Sequence, residues 1–363
     1  GKAEEWDLNT GEKRTLGAVI KDEGMSLCFH FEPAGSHLFT VDRSKKPDAD
    51  AAFGPPTFKP TDAVALEGAW KLERTDPNAL TLDTVRLKLG DGAWSEPIPT
   101  WKAHDRIQAN GGRFALRYAF DVAELPLDAQ SNKKVHPPGE PFFVSETPER
   151  FRMAVNGNPI DYTDQGWWID RTFMKIAIGD WIRQGENEVA LSGVAAPDPE
   201  IESAYLIGDF GVATDDGMRF RIVRARDVVE SGDLGPQGYP FFAGAVTLSR
   251  TVELKKDAGR QAYLALDGLE TVVASISVNG QDAGAIFWHP HRIEITDLIQ
   301  DGANEIRITL TGSLRNLLGP HHHRDGELLS VGPYSFRDEE NWTDVYQFVP
   351  FGFEGAEVVF GSA

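Results

Sequence analysis

A repeat of unusually long period constrains this chain more than any other feature. Arg152-Met153-Ala154-Val155-Asn156-Gly157 returns as Ser275-Ile276-Ser277-Val278-Asn279-Gly280. Further on, Gly185-Glu186-Asn187-Glu188-Val189 returns as Gly302-Ala303-Asn304-Glu305-Ile306. The Asn-Gly pairs lie 123 residues apart and the Gly-x-Asn triplets 117 apart. A solenoid repeats every 20 to 50 residues or so, so a period this long implies two whole domains of one type.

Each unit opens with a strand that ends in Asn-Gly. That dipeptide tolerates positive φ at both central residues and predicts a tight hairpin. The alternation Ile276/Val278 and Ile306/Ile308/Leu310 has period two, the mark of a strand with one buried and one wet face. Between these strands lies Thr296-Asp297-Leu298-Ile299-Gln300-Asp301-Gly302. It predicts one helical turn, with Thr296 as N-cap, Leu298 and Ile299 inward, and Gly302 in the left-handed stop position. Asn156 is expected to match Asn279, and Asn187 to match Asn304.

Elsewhere Val85/Leu87/Leu89, Phe114/Leu116/Tyr118/Phe120/Val122 and Val246/Leu248 alternate in the same way, and long helical periodicity is absent. The expected class is therefore all-β. Residues 1–58 read as the terminal strands of a preceding β domain plus a Pro-rich linker. A first β-sandwich is expected over 59–212 and a second over 213–363, the latter ending in a long aromatic tail from Gly312. Gln130 to Pro141 reads as a polar loop.

The run Val-Asn-Gly, an aromatic segment, Ile295-Thr296-Asp297-Leu298 and Gly302-Ala303-Asn304-Glu305-Ile306 resembles the galactose-binding-like jelly-roll sandwich of family 2 glycoside hydrolases. The wider context, Tyr239-Pro240-Phe241-Phe242-Ala243-Gly244 and Asn316-Leu317-Leu318-Gly319-Pro320-His321-His322, is similar to the C-terminal region of large bacterial glycosidases of family 106, the α-L-rhamnosidase type. The resemblance covers most of residues 60–363. It implies tandem jelly-roll sandwiches, an N-terminal catalytic barrel on the same polypeptide as partner, a glycan as ligand, and a secreted or periplasmic bacterial setting. No strand–helix alternation able to build such a barrel exists here, so this region is expected to be non-catalytic.

A formal charge of −20 over 363 residues argues against nucleic acid and anionic membranes, and is compatible with a neutral glycan. No apolar run approaches a membrane span. The single cysteine, Cys28, excludes an intramolecular disulfide and reads as an inert strand residue. No signal peptide is visible at Gly1, and the chain opens inside a strand-rich segment. It therefore reads as a fragment of a longer protein, and the missing signal says little about secretion.

Two aromatic clusters fall in the matching interval of the two units: Trp167, Trp168, Asp170 and Arg171 in the first, Trp288, His291 and Arg292 in the second. A sugar subsite needs an apolar platform beside convergent polar groups, which these residue types supply; packing is the alternative reading. His321-His322-His323 is the other salient motif. On a strand, His321 and His323 would face one side with Asp325 or Glu327, but three adjacent histidines make a poor ligand set, and no metal or cofactor is expected. A glycosidase needs two spaced carboxylates. Among 56 acidic residues no pair can be singled out, and the catalytic residues stay unassigned. Two rival readings remain: a glycosidase or polysaccharide lyase with its site between the sandwiches, or an adhesion module without sugar affinity.

Overall fold

A computed structural model describes residues 1–8, 10–21, 24–27, 29, 31, 35–46, 48, 51, 58–124, 140–196, 201–257 and 259–362. Cys28 and nearly all of the 130–141 loop lie outside them. The chain is all-β, built from two β-sandwiches and a small N-terminal sheet.

The first sandwich centres on the antiparallel pair Arg113–Val122 and Gly185–Val194, flanked by Thr84–Leu89 on one side and the hairpin Arg152–Val155/Asn158–Ile160 on the other. A second sheet, in the order Trp167–Trp168, Asp170–Ala177, Phe142–Ser145, Ala204–Gly208, Asn78–Leu82, closes over it. Leu116, Tyr118, Phe120 and Val122 all turn into the space between, as their spacing predicts. The second sandwich repeats the plan. Ala245–Leu254 pairs with Gly302–Thr311, flanked by Trp70–Arg74 and by the hairpin Val273–Val278/Gln281–Ile286. Its facing sheet runs Arg292–Glu294, Gln261–Asp267, Gly355–Ser362, Lys59–Ala65. Burying a side chain such as Ile308 or Leu116 contributes roughly 1.5–3 kcal/mol.

The repeated asparagines explain why this plan recurs. Asn156 and Asn279 sit at φ 51° and 52°, each followed by a glycine of positive φ, so both hairpins turn as Asn-Gly predicts. The Asn279 amide donates to Asn304 Oδ1 (2.9 Å) and to the Leu298 carbonyl, while its oxygen accepts the Glu305 N–H. Asn304 is fully buried. Its oxygen also accepts the Gln300 N–H, and its amide holds the carbonyls of Gln300 and Gly302. In the first unit Asn156 and Asn187 make the same bonds, to Trp181, Arg183, Gly185 and Glu188. The predicted helical turn is a simple turn: Ile299 is buried, but the Thr296 hydroxyl accepts the Ala262 N–H across the sheet rather than capping.

Three features depart from the expectation. Lys59–Ala65 and Trp70–Arg74 pair with Gly355–Ser362 and Ala245–Leu254, so they belong to the second sandwich, not to the first. The first unit, from Asn78 to Val223, is thus inserted between strands of the second. No local pattern reports a pairing between ends some 300 residues apart in the chain. Secondly, Thr100–Asn110 is a helix, seated by Thr100, Ala103 and Ile107. Its apolar positions are too few and small to stand out among polar residues. Thirdly, the aromatic tail is shared between the sandwiches: Leu317, Tyr346 and Phe348 pack into the first core, whereas Phe351, Phe353 and Phe360 stay in the second. At the N-terminus, Lys13–Leu16, Lys2–Trp6 and Leu38–Asp42 form a three-stranded antiparallel sheet.

Asn304→Ala would strand a buried N–H, the Asn279 amide and two carbonyls. Urea unfolding should register a loss of about 2–4 kcal/mol, against under about 1 kcal/mol for Asn158→Ala on the same hairpin type. Equal losses would show that the buried pair carries no special weight.

Candidate functional site

The structure separates the residues of the sequence-predicted clusters. Trp167 and Trp168 alternate on one short strand: Trp167 is 52% exposed, whereas Trp168 is 9% exposed, edge-on to Tyr205 at 5.9 Å. The pairing register shifts between the two, and Ile169 at φ 62° breaks the strand beyond them. Asp170 accepts the Thr172 N–H and hydroxyl, and Arg171 is exposed. In the second unit Trp288 is 40% exposed and leans on Phe287 (5.5 Å). It lines a 480 Å³ cleft against Trp6, Arg14 and His37 of the N-terminal sheet. His291 instead stacks on His289 at 3.8 Å and lines a different, smaller cleft. Burial, then the neighbouring His289, lowers its pKa. The Arg292 guanidinium lies over Phe58 and Tyr263.

A different constellation stands out at the junction of tail and first sandwich. At Asp83 the chain leaves one sheet of the first unit, after Asn78–Leu82, and enters the other, at Thr84–Leu89. The Asp83 carbonyl accepts the Thr100 N–H (2.8 Å), which sets the start of the helix beside it. Its carboxylate, almost buried, accepts bonds from the Tyr346 hydroxyl and from His322 Nε2 (3.0 Å), with His321 Nδ1 at 3.7 Å.

His322 Nδ1 meets the Thr343 carbonyl at 2.8 Å. Both ring nitrogens therefore face acceptors, an arrangement that favours the protonated, doubly donating ring. His321 Nε2 meets the Asn316 carbonyl at 2.9 Å. His323 turns elsewhere, to Asp338 (3.4 Å). So the adjacent His321 and His322 converge, not the alternate pair His321 and His323, because this segment is not a strand. Among the described residues no group of three or more His, Cys, Asp or Glu is placed to hold a metal ion.

Burial opposes the charge on Asp83, yet the neighbouring His321 and His322 rings outweigh it and lower its pKa well below the carboxylate range. Burial likewise opposes the His322 charge, and Asp83 with the Thr343 carbonyl outweighs it, so its pKa is raised. Tyr346 is pushed up by burial and by the Asp83 charge.

Beside this cluster opens a cleft of 490 Å³. Trp101 on the helix, Phe336 and Trp342 supply its aromatic surface; Glu202, Ser335 and Arg337 supply polar groups. Trp342 carries the His322 ring on one face at 4.4 Å and 14°, and the Arg337 guanidinium lies 5.8 Å from the Trp101 ring centroid. None of Asp83, Trp101, Arg337 or Tyr346 was legible as a site residue. The one available signal was an aspartate interrupting the apolar run Leu80-Thr81-Leu82 before Val85.

A folded-state pKa above the unfolded one means that His322 stabilises the fold fully below about pH 6.5, and that this contribution is lost as pH rises through the raised value. Thermal unfolding should therefore shift downward from about pH 6 to about pH 9, and His322→Gln should flatten that slope. An unchanged slope in the variant would rule out His322 as its source.

No protein-family model matches the chain, and no curated protein matches it. Among solved structures, it is similar to a rhamnosidase from Novosphingobium sp. PP1Y, at 17% identity over 69% of this chain and 22% of that one, with a TM-score of 0.27. A Bifidobacterium dentium β-glucuronidase aligns at 18% identity over 37% of this chain and 25% of that one (TM-score 0.26). A Streptomyces avermitilis α-L-rhamnosidase aligns at 12% identity over 83% and 26% (TM-score 0.23). The chain thus spans about a quarter of the length of these glycosidases.

Proposed function

We propose that this chain is a non-catalytic, carbohydrate-associated region of a larger glycoside hydrolase, and that the cleft beside Asp83 binds glycan. One observation carries the first half of this reading. The strongly perturbed groups facing the cleft are already committed to one another. A general acid for glycoside cleavage needs a carboxyl whose pKa is raised toward neutrality. Asp83 is shifted the opposite way and is saturated with donors. Neither ring nitrogen of His322 is turned to the cleft as a free base, since both face acceptors of the protein. What faces the cleft is a fixed charge pattern on an aromatic wall, which orients a ligand without reacting with it.

Carbohydrate suits that pattern. The cleft volume falls in the range of small-ligand sites. Indole and phenyl surfaces match the C–H faces of a pyranose, and the carboxylate and guanidinium of Glu202 and Arg337 match its hydroxyls. The net charge of −20 favours neutral over acidic sugars. The Trp288 cleft, with Trp6 opposite, is a further contact surface of similar chemistry. In the whole protein the sandwiches would brace an N-terminal catalytic barrel and shape its entrance, in a secreted or periplasmic enzyme. Among the described residues no helix is long and apolar enough to cross a membrane.

Titration of neutral oligosaccharides against the chain, followed by tryptophan fluorescence, should show saturable binding. Trp342→Ala should weaken it by up to about tenfold, the worth of one stacked ring at about 1.4 kcal/mol per decade. Aryl glycosides should not turn over. Binding indifferent to Trp342→Ala would place the site elsewhere, and turnover abolished by a single Asp or Glu substitution would make the chain an enzyme.

A further inference from the structure

We propose that the outer face of the first sandwich binds an acidic polysaccharide, a chain carrying carboxylates at regular intervals, at a site independent of the Asp83 cleft. Directly paired residues of an antiparallel ladder point to the same side of the sheet, so the pairing registers give the rows of side chains on this face. One row reads Lys88, Ala115, Ser192, Arg152, and the next Arg86, Arg117, Ala190, Ala154. In the second unit the equivalent rows read Glu73, Thr247, Thr309, Ser275 and Lys71, Ser249, Arg307, Ser277. The inner row behind them is alike in both units: buried Leu87, Leu116 and Leu191 answer to buried Leu72, Leu248 and Ile308. The fold therefore fixes the inner face and leaves the outer one free to differ.

The outer faces differ in charge. In the second unit the cations are neutralised: Lys71 pairs with Glu73 (2.6 Å), and Arg307 with Glu73 (2.7 Å) and Glu305 (3.6 Å). In the first unit Arg117 pairs with Glu188 (3.3 Å), and Arg113 reaches the exposed Asp91 at 3.5 Å. Arg86 and Arg152 are exposed, Lys88 is half-buried, and none of the three has an ion-pair partner among the described residues. Arg86 also lies directly opposite Arg117, a like-charge pairing that destabilises a sheet. This local excess of positive charge stands on a chain whose formal charge is −20. An anionic ligand would offset the repulsion that the fold itself leaves in place.

Charge spacing selects among anions. Three interstrand steps of ~4.8 Å separate the backbones of Lys88 and Arg152 by about 14 Å. Cations this sparse suit a chain with one carboxylate per sugar ring. A nucleic acid carries a charge every ~1.7 Å and would bring far more anion than the face can match. The acidic remainder of the chain is screened beyond about 8 Å at physiological salt, so the local cations decide the sign of the site. The short side chains of Ala115, Ala154, Ala190 and Ser192 let an extended ligand lie close to the sheet between the cations. Arginine forks match carboxylates in two parallel hydrogen bonds. Half-buried Trp94, with the Arg117 guanidinium 4.1 Å from its ring centroid, borders the face and offers a surface for a sugar ring.

Calorimetric titration of the whole chain with an oligogalacturonate and with its methyl ester, which keeps the sugar chain and removes its charge, tests the proposal. The acid form should bind and the ester should not. Raising salt from about 50 to about 200 mM should weaken the binding several-fold. The triple variant Arg86→Gln/Lys88→Gln/Arg152→Gln should weaken it at least about tenfold. Lys71→Gln/Lys255→Gln/Lys256→Gln makes the same change in net charge at surface positions of the second unit and should leave affinity within about twofold. Trp342→Ala should leave it unchanged. No binding of the acid form, equal binding of the ester, or equal losses in the two triple variants would overturn the proposal. Loss of binding in Trp342→Ala would overturn it by placing the ligand in the Asp83 cleft. Polyglutamate or single-stranded DNA bound as tightly as the oligogalacturonate would overturn the assignment to polysaccharide.

Discussion

The pairing of two asparagines, made once in each unit, is the constraint on which this architecture rests. An Asn-Gly hairpin puts an asparagine in the left-handed region, where its side chain can reach the adjacent strand. There it meets a second asparagine that has already tied the incoming turn to its own strand start. Hairpin, turn and long central strand are thereby locked in one register. Since a slip of one residue would send every core side chain to the solvent face, the bonds that pin this register also decide which residues form the core. The same set of bonds in both units explains why so little else of the sequence had to repeat.

Insertion of one sandwich into the other creates the second constraint. Two crossings and a long tail must be satisfied at the junctions, and polar groups concentrate there. The tail is anchored by Asp83, which collects a tyrosine and a histidine, with a second histidine close by. Its backbone is held by Thr81, which donates to the Leu317 carbonyl, and by paired bonds between Asn316 and Val349. The crossings are anchored by Arg74, Asp76 and Asp209. Two of the clefts open beside these junctions. Function at the Asp83 cleft, on this reading, sits at a junction rather than on a sheet face.

The local elements were legible in the residues and the long-range ones were not. Period-two runs such as Phe114 to Val122 and the Asn-Gly turns carry their structure in adjacent positions. The equivalence of Asn187 and Asn304 could be read from spacing alone. The partner of Lys59–Ala65 could not, because Gly355–Ser362 lies at the far end of the chain and neither strand names the other. The histidine triplet drew attention for good reason, yet its reading depended on a strand geometry that Gly319-Pro320 does not support. Trp288 proved exposed and Trp168 buried, a difference that alternation on a two-residue strand creates and that composition cannot show. Asp83 looked like any acidic residue until the tail folded over it.

On our proposal, an aromatic cleft in which Asp83, His322 and Tyr346 hold one another in place serves to hold a ligand still. A crystal of the chain soaked with a neutral oligosaccharide puts that claim to its most direct test. The prediction is a pyranose ring in the cleft bounded by Trp101, Phe336 and Trp342, with hydroxyls on Glu202 or Arg337 and with Asp83, His322 and Tyr346 unmoved. An empty cleft with sugar bound only at Trp167 or Trp288, or a cleaved glycan in contact with a displaced Asp83, would contradict it.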